Sequence, residues 1–99
     1  MPLDYQVLVA PRFRRLAKKL TRQHPEFSDH YARAVRILSE DPTNNSNRFS
    51  IKKLRGVSHG NGQWRLRLGR FRVRYDVYAD VREVLLTYCA VRREGTYKR

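Results

Sequence analysis

The segment Gln63–Tyr75 alternates so strictly that it limits what the chain can fold into. Apolar residues occupy 64, 66 and 68, the parity flips at Gly69-Arg70, and apolar residues then occupy 71, 73 and 75. Such alternation on both sides of a Gly-X pair predicts two half-buried strands joined by a two-residue turn, with Gly69 at positive φ. In that register Leu68 faces Phe71, Leu66 faces Val73 and Trp64 faces Tyr75. The other side of the sheet then sets Arg67 opposite Arg72 and Arg65 opposite Arg74. Like charges directly opposite each other destabilise a hairpin, by up to about 1 kcal/mol per pair. Two such pairs make sense if something anionic lies across that face, so we read it as a seat for phosphate.

The charge of the whole chain points the same way. Its 99 residues allow one domain with one core, and its 22 Lys and Arg against 9 Asp and Glu give a net charge of +13. This balance implies a polyanionic partner, nucleic acid or an anionic membrane surface. Between Pro42 and Tyr75 lie nine basic residues and no carboxylate, and 17 of the 22 basic residues are arginine. Arginine favours bidentate phosphate or base contacts over diffuse attraction. No apolar run approaches the ~20 residues of a membrane span, and no secretory signal is visible. The single cysteine, Cys89, lies in an apolar run and is read as a core thiol in a reducing, cytoplasmic setting.

In chain order, Tyr5–Val9 reads as a short first strand. Pro11 opens a helix with Phe13, Leu16, Ala17 and Leu20 on one stripe and six basic residues around the rest. That basic face is either solvated or in contact with RNA. After His24-Pro25 a second helix carries Phe27, Tyr31, Ala34, Val35 and Leu38 as its buried stripe and ends at Asp41-Pro42. His24 and His30 have no partner at metal-ligand spacing and are read as surface residues. Residues 43–47 form a polar loop, Phe49, Ile51 and Leu54 anchor the next segment, and 58–62 form a Gly-rich loop carrying His59. After the hairpin, Val81–Val91 reads as a further strand, apolar on both faces. A turn at Ala79-Asp80 would pair Tyr75 with Val84, Val73 with Leu86 and Phe71 with Tyr88, leaving Thr87 beside Arg72. The expected class is α+β in the order β-α-α-β-β-β, an antiparallel twisted sheet with a helical hairpin packed on one face.

Several of these segments together resemble the RelE/ParE toxin superfamily, and specifically its RelE-like mRNA endonucleases. They are Tyr5-Gln6-Val7, Pro11–Leu20, Lys53-Leu54-Arg55-Gly56, the hairpin itself, and the closing Arg92-Arg93-Glu94 with Tyr97. The resemblance implies a single RelE-like domain over residues 1–99 with the microbial RNase fold. It implies no cofactor, and a toxin that cuts mRNA in the ribosomal 30S A site until a cognate antitoxin neutralises it. It also carries site residues over: Arg65, Arg67, Arg72, Arg93 and Tyr97 match the family's functional positions. The gyrase-poisoning branch tends to lack the full set, which favours the nuclease branch over a gyrase inhibitor or a non-catalytic RNA-binding module.

The residue chemistry agrees with metal-free cleavage. The substrate's 2′-hydroxyl can attack the adjacent phosphate if the protein supplies a base, stabilises the phosphorane charge and protonates the departing 5′ oxygen. Two-metal nucleases need several converging carboxylates, and the arginine strands carry none between Pro42 and Tyr75. Arg65, Arg67 and Arg72 would clamp the scissile and flanking phosphates. Arginine is too basic to take the proton. Tyr97 serves either as base, its phenolate favoured by surrounding arginines, or as a stacking platform for an unstacked nucleobase. His59 is the reserve base. Arg93 would stabilise the leaving group or donate its proton. Lys52, Lys53, Arg55 and Arg74 would grip ribosomal RNA or neighbouring phosphates. Trp64 alternates inward and is read as core. The partner antitoxin is expected to be acidic and partly helical, lying over the arginine face.

Overall fold

A computed structural model describes residues 4–92. The chain runs β1 (Gln6–Val9), α1 (Pro11–Gln23), α2 (Phe27–Glu40), β2 (Ile51–Lys53), β3 (Trp64–Leu68), β4 (Phe71–Tyr78) and β5 (Glu83–Val91). The strands form one sheet in the order β1-β5-β4-β3-β2. The arrangement is α+β, with one strand more than the periodicity suggests, because β2 is only three residues long. The sheet is also mixed. β1 pairs parallel with β5, Gln6 beside Glu83 through Val9 beside Leu86, while the other pairs are antiparallel.

The β3–β4 hairpin has the expected register, Trp64 to Tyr75 through Leu68 to Phe71, and Gly69 takes φ +58°. One hairpin further on, the register departs from expectation. The connection after β4 uses four residues, Ala79–Arg82, with Arg82 in the left-handed region at φ 52°. Val77 therefore faces Val84 and Tyr75 faces Leu86, while Val73 faces Cys89 and Phe71 faces Val91. A register shift lies between Arg74 and Tyr75: Tyr88 pairs with Arg74 and Leu86 with Tyr75, so Thr87 is the extra residue of a bulge. Ala90, not Thr87, lies beside Arg72.

The two helices share one apolar layer with one face of the sheet. Phe13, Ala17 and Leu20 of α1 meet Phe27, Ala34, Ile37 and Leu38 of α2 over Leu66, Leu68, Phe71, Val73, Tyr75, Val84, Leu86 and Cys89. Ile37 takes the fully buried place expected of Val35, which is half-buried. Pro11 starts α1 at the position where its missing N–H costs nothing. Both histidines flanking α2's first turn are packed rather than superficial. The rings of His24 and His30 lie 6.0 and 4.9 Å from that of Phe71, where the hairpin tip presses on the helices. Arg70 at that tip donates to Glu26 Oε2 at 2.6 Å, fastening the turn to the start of α2. Tyr75, fully buried, donates its hydroxyl proton to the carbonyl of Pro42 at 2.7 Å. No helix among the described residues is long and apolar enough to cross a membrane.

Candidate nucleic-acid interface

With the helices on one face, strand alternation sends every second side chain of β2, β3 and β4 to the other. Lys52 pairs with Arg65, Arg65 with Arg74, and Arg67 with Arg72, so these side chains share the helix-free face. Arg65 and Arg72 are half-buried and Arg67 is exposed. Among the described residues no carboxylate lies within 4.0 Å of these three guanidinium groups. Burial, and then the charges of Arg72, Arg67, Arg74 and Arg92, push the pKa of Arg65 down from its usual value. Arginine still keeps its proton at neutral pH. Arg72 Nε is buried without a hydrogen-bond partner. Such a donor is costly to leave unmade.

Ser50, Ile51, Lys52, Arg65 and Arg67 line a cavity of about 270 Å³ beside this row. Lys52 belongs to it. Lys53 does not, because strand alternation turns it to the other side, where its ammonium lies 5.6 Å from the Trp64 ring centre. Trp64 stacks with Tyr75 at 6.5 Å against the core, as its alternation implies. Arg55 is exposed in the turn that follows β2. Arg93 and Tyr97 lie outside the described residues.

Arg74 and His59 both make contacts with the fold itself. Arg74 donates from Nε and Nη2 to the carbonyl of Gly62 at 3.1 and 3.0 Å, and from Nη2 to that of Asn61 at 3.0 Å. Asp76 holds the same loop from below, accepting the N–H of Gly62 at 2.9 Å and of Gln63 at 3.0 Å. Gly62 runs close over the sheet at φ +80°, where an added Cβ would stand 2.6 Å from Thr87 Oγ1. The loop's His59 sits 3.1 Å from the Val77 carbonyl with its ring 4.4 Å from that of Tyr78. Tyr78 is six residues along β4 from Arg72, roughly 20 Å at about 3.3 Å per residue. The structure therefore sets His59 beside Val77 and Tyr78 and does not bring it to Arg72.

The structure adds two residues to the site. Arg92 follows Tyr88 and Ala90 in the alternation of β5, and its charge acts on Arg65. That parity was readable once β5 was in register. Asp76 is fully buried, and its role as loop anchor gives no signal in the sequence beyond a lone carboxylate in an apolar strand. On the β5 side, Arg12 of α1 places its guanidinium 5.2 Å from the Tyr88 ring centre. The described residues contain no cluster of three His, Cys, Asp or Glu able to hold a metal ion.

Comparison of the sequence with known protein families and with curated proteins finds no match. Solved structures do match in three dimensions. The toxin–antitoxin complex RelBE2 from Mycobacterium tuberculosis contains a chain that superposes with a TM-score of 0.71 at 22% identity, over 91% of this chain and all of that one. This chain has the RelE fold. The RelE–RelB complex from Pyrococcus horikoshii aligns with a TM-score of 0.59 at 24% identity, over 94% of this chain and all of the other. The helical hairpin, the mixed sheet and the open face on which the arginines stand are features of this fold.

Proposed function

We propose that this RelE-like protein is the toxin of a toxin–antitoxin pair, a metal-independent endoribonuclease that cleaves mRNA in the ribosomal A site and stops translation. The observation that carries this reading is the row Arg65, Arg67 and Arg72, with no carboxylate of the described residues in ion-pair distance, whose mutual repulsion an RNA phosphate would relieve. Arg67 and Arg72, directly opposite each other, take the two non-bridging oxygens of the scissile phosphate, and the unpartnered Arg72 Nε gains its acceptor. Arg65, with Lys52 beside it, takes the neighbouring phosphate. The 2′-hydroxyl attacks in line, the arginines stabilise the pentacoordinate phosphorane, and a 2′,3′-cyclic phosphate is left. In this reading Tyr97 removes the 2′-hydroxyl proton and Arg93 assists the departing 5′ oxygen.

A cognate antitoxin, acidic and partly helical, would hold the protein inactive. In both structural neighbours a toxin is bound to its antitoxin. A domain this small has little surface with which to thread and specify an mRNA alone, which is why the decoding site is the expected place of cleavage. Translating ribosomes incubated with the protein, followed by mapping of mRNA ends, test the proposal. Cuts within the decoding site that vanish with Arg72→Ala are expected. Intact mRNA together with accumulated gyrase–DNA breaks, or binding without cuts, would overturn it.

A further inference from the structure

Beyond the arginine face, the sheet edge opens into a second cationic cleft of about 230 Å³. It lies between α2 and the 41–50 loop. Arg33 of α2, Arg48 and Phe49 of the loop, and Arg67 and Leu68 of β3 line it. It shares Ser50 and Arg67 with the cavity beside Lys52 and Arg65, so the two form a continuous path around the edge of β3. β2 covers that edge only as far as Leu66, with one more hydrogen bond from Arg67 N to Ser50 O at 2.9 Å.

The cleft combines charge with a flat stacking surface. Arg33 and Arg48 are exposed, and among the described residues neither has a carboxylate within ion-pair distance. The Arg48 guanidinium lies 5.0 Å from the Phe49 ring centre. Arginine planes and aromatic faces are the surfaces on which unstacked RNA bases settle. The loop that offers them is held in shape beforehand. Asn44 Nδ2 donates to the Phe49 carbonyl at 2.9 Å, and Phe49 N donates to Asn44 Oδ1 at 3.1 Å. Asp41 accepts from Asn45 N at 2.7 Å, Ser46 N at 3.0 Å and Ser46 Oγ at 2.6 Å. The charge of Arg48 acts on Asp41, whose carboxylate these donors already occupy.

We propose that this cleft is a second seat for single-stranded RNA, taking the base and phosphate of a nucleotide flanking the one on the arginine face. Arg33 and Arg48 hold the phosphate, the base lies on the Arg48–Phe49 surface, and the strand bends around Ser50 and Arg67. The inference rests on the RNA-binding reading above, and its test is built to fail separately from it.

The test measures fluorescence anisotropy of the full chain with 2′-O-methyl oligouridylates, which cannot be cleaved by 2′-hydroxyl attack. A trinucleotide reaches only the arginine face and an octanucleotide reaches both. The variant Arg33→Gln/Arg48→Gln is expected to bind the octanucleotide about tenfold more weakly and to flatten its log–log salt slope by about 1.4, two contacts at about 0.7 each. Its trinucleotide binding should stay within about twofold of wild type. Phe49→Leu should weaken the octanucleotide without changing the salt slope, and Arg48→Lys should keep most of that slope. Unaltered octanucleotide affinity and slope in the double variant would overturn the cleft while leaving the arginine face standing. An oligoglutamate that loses as much affinity as RNA would also overturn it, since the cleft would then recognise charge alone. Wild type that binds neither RNA at low salt would overturn the cleft as a seat for single-stranded RNA, whereas the mapping of mRNA ends on translating ribosomes decides the arginine-face reading.

Discussion

Arg67 and Arg72 stand directly opposite each other across the β3–β4 pair, with no carboxylate of the described residues within ion-pair distance of either. Facing like charges cost stability, so relieving them should help the fold and harm the function. Arg67→Gln is expected to raise stability by up to about 1 kcal/mol in urea denaturation. The same variant should cut mRNA on translating ribosomes about 10² to 10³ times more slowly. A loss of stability together with a loss of cleavage would mean that Arg67 supports the sheet instead.

The clip under the 58–62 loop should behave in the opposite way. Asp76→Ala leaves the N–H groups of Gly62 and Gln63 without their acceptor in a buried place, a loss of about 3 kcal/mol. Gly62→Ala meets Thr87 Oγ1 and Arg74 Cβ while forced to positive φ, which should cost about 2 kcal/mol. Chemical denaturation of both variants checks these values. A Gly62→Ala protein as stable as wild type would show that the loop can lift off the sheet freely.

How much of this was legible follows the length and regularity of each segment. The β3–β4 hairpin alternates without interruption over both strands, so its register and its arginine rows can be read directly. β5 cannot be placed that way. The bulge at Thr87 adds a residue and the left-handed Arg82 lengthens the turn, and each depends on packing that periodicity does not encode. Three residues are too few for β2 to declare a period, so Lys52 and Lys53 look equivalent although they face opposite sides. Arg74 counts as one more cation in the sequence, yet its guanidinium is engaged by two loop carbonyls whose position is set by the fold.

Cys89 should be inert in the folded protein. Burial pushes its thiol up to about 12, and the thiolate is the form that reacts. Alkylation by iodoacetamide at pH 8 should be negligible under native conditions and complete in denaturant. Rapid native labelling would mean that β5 opens readily beneath α1.

Asp41 should give the protein part of its acid sensitivity. Burial alone would raise its pKa, but the hydrogen bonds from Ser46 and Asn45 and the charge of Arg48 outweigh burial and hold it below the usual value. A carboxyl depressed on folding stabilises the native state above its unfolded pKa of about 3.9 and loses that contribution as pH falls through the native value. Wild type should therefore exceed Asp41→Asn in stability at pH 6, and the gap should close towards pH 2. Parallel urea titrations across that range check it, and a constant gap would place the effect in shape rather than charge.

The parallel pairing of β1 with β5 carries a consequence for biosynthesis. Gln6 is among the earliest described residues and finds its partner only at Glu83, and such distant pairing is slow to close. A nascent chain halted after the β3–β4 hairpin would already possess all three arginines of the row. It would still lack Val84, Leu86 and Cys89, so β1 would have nothing to join and the helices only part of a floor to rest on. Any premature stop before β5 would therefore leave every residue of the arginine row in the chain but without the completed sheet that holds the row in place.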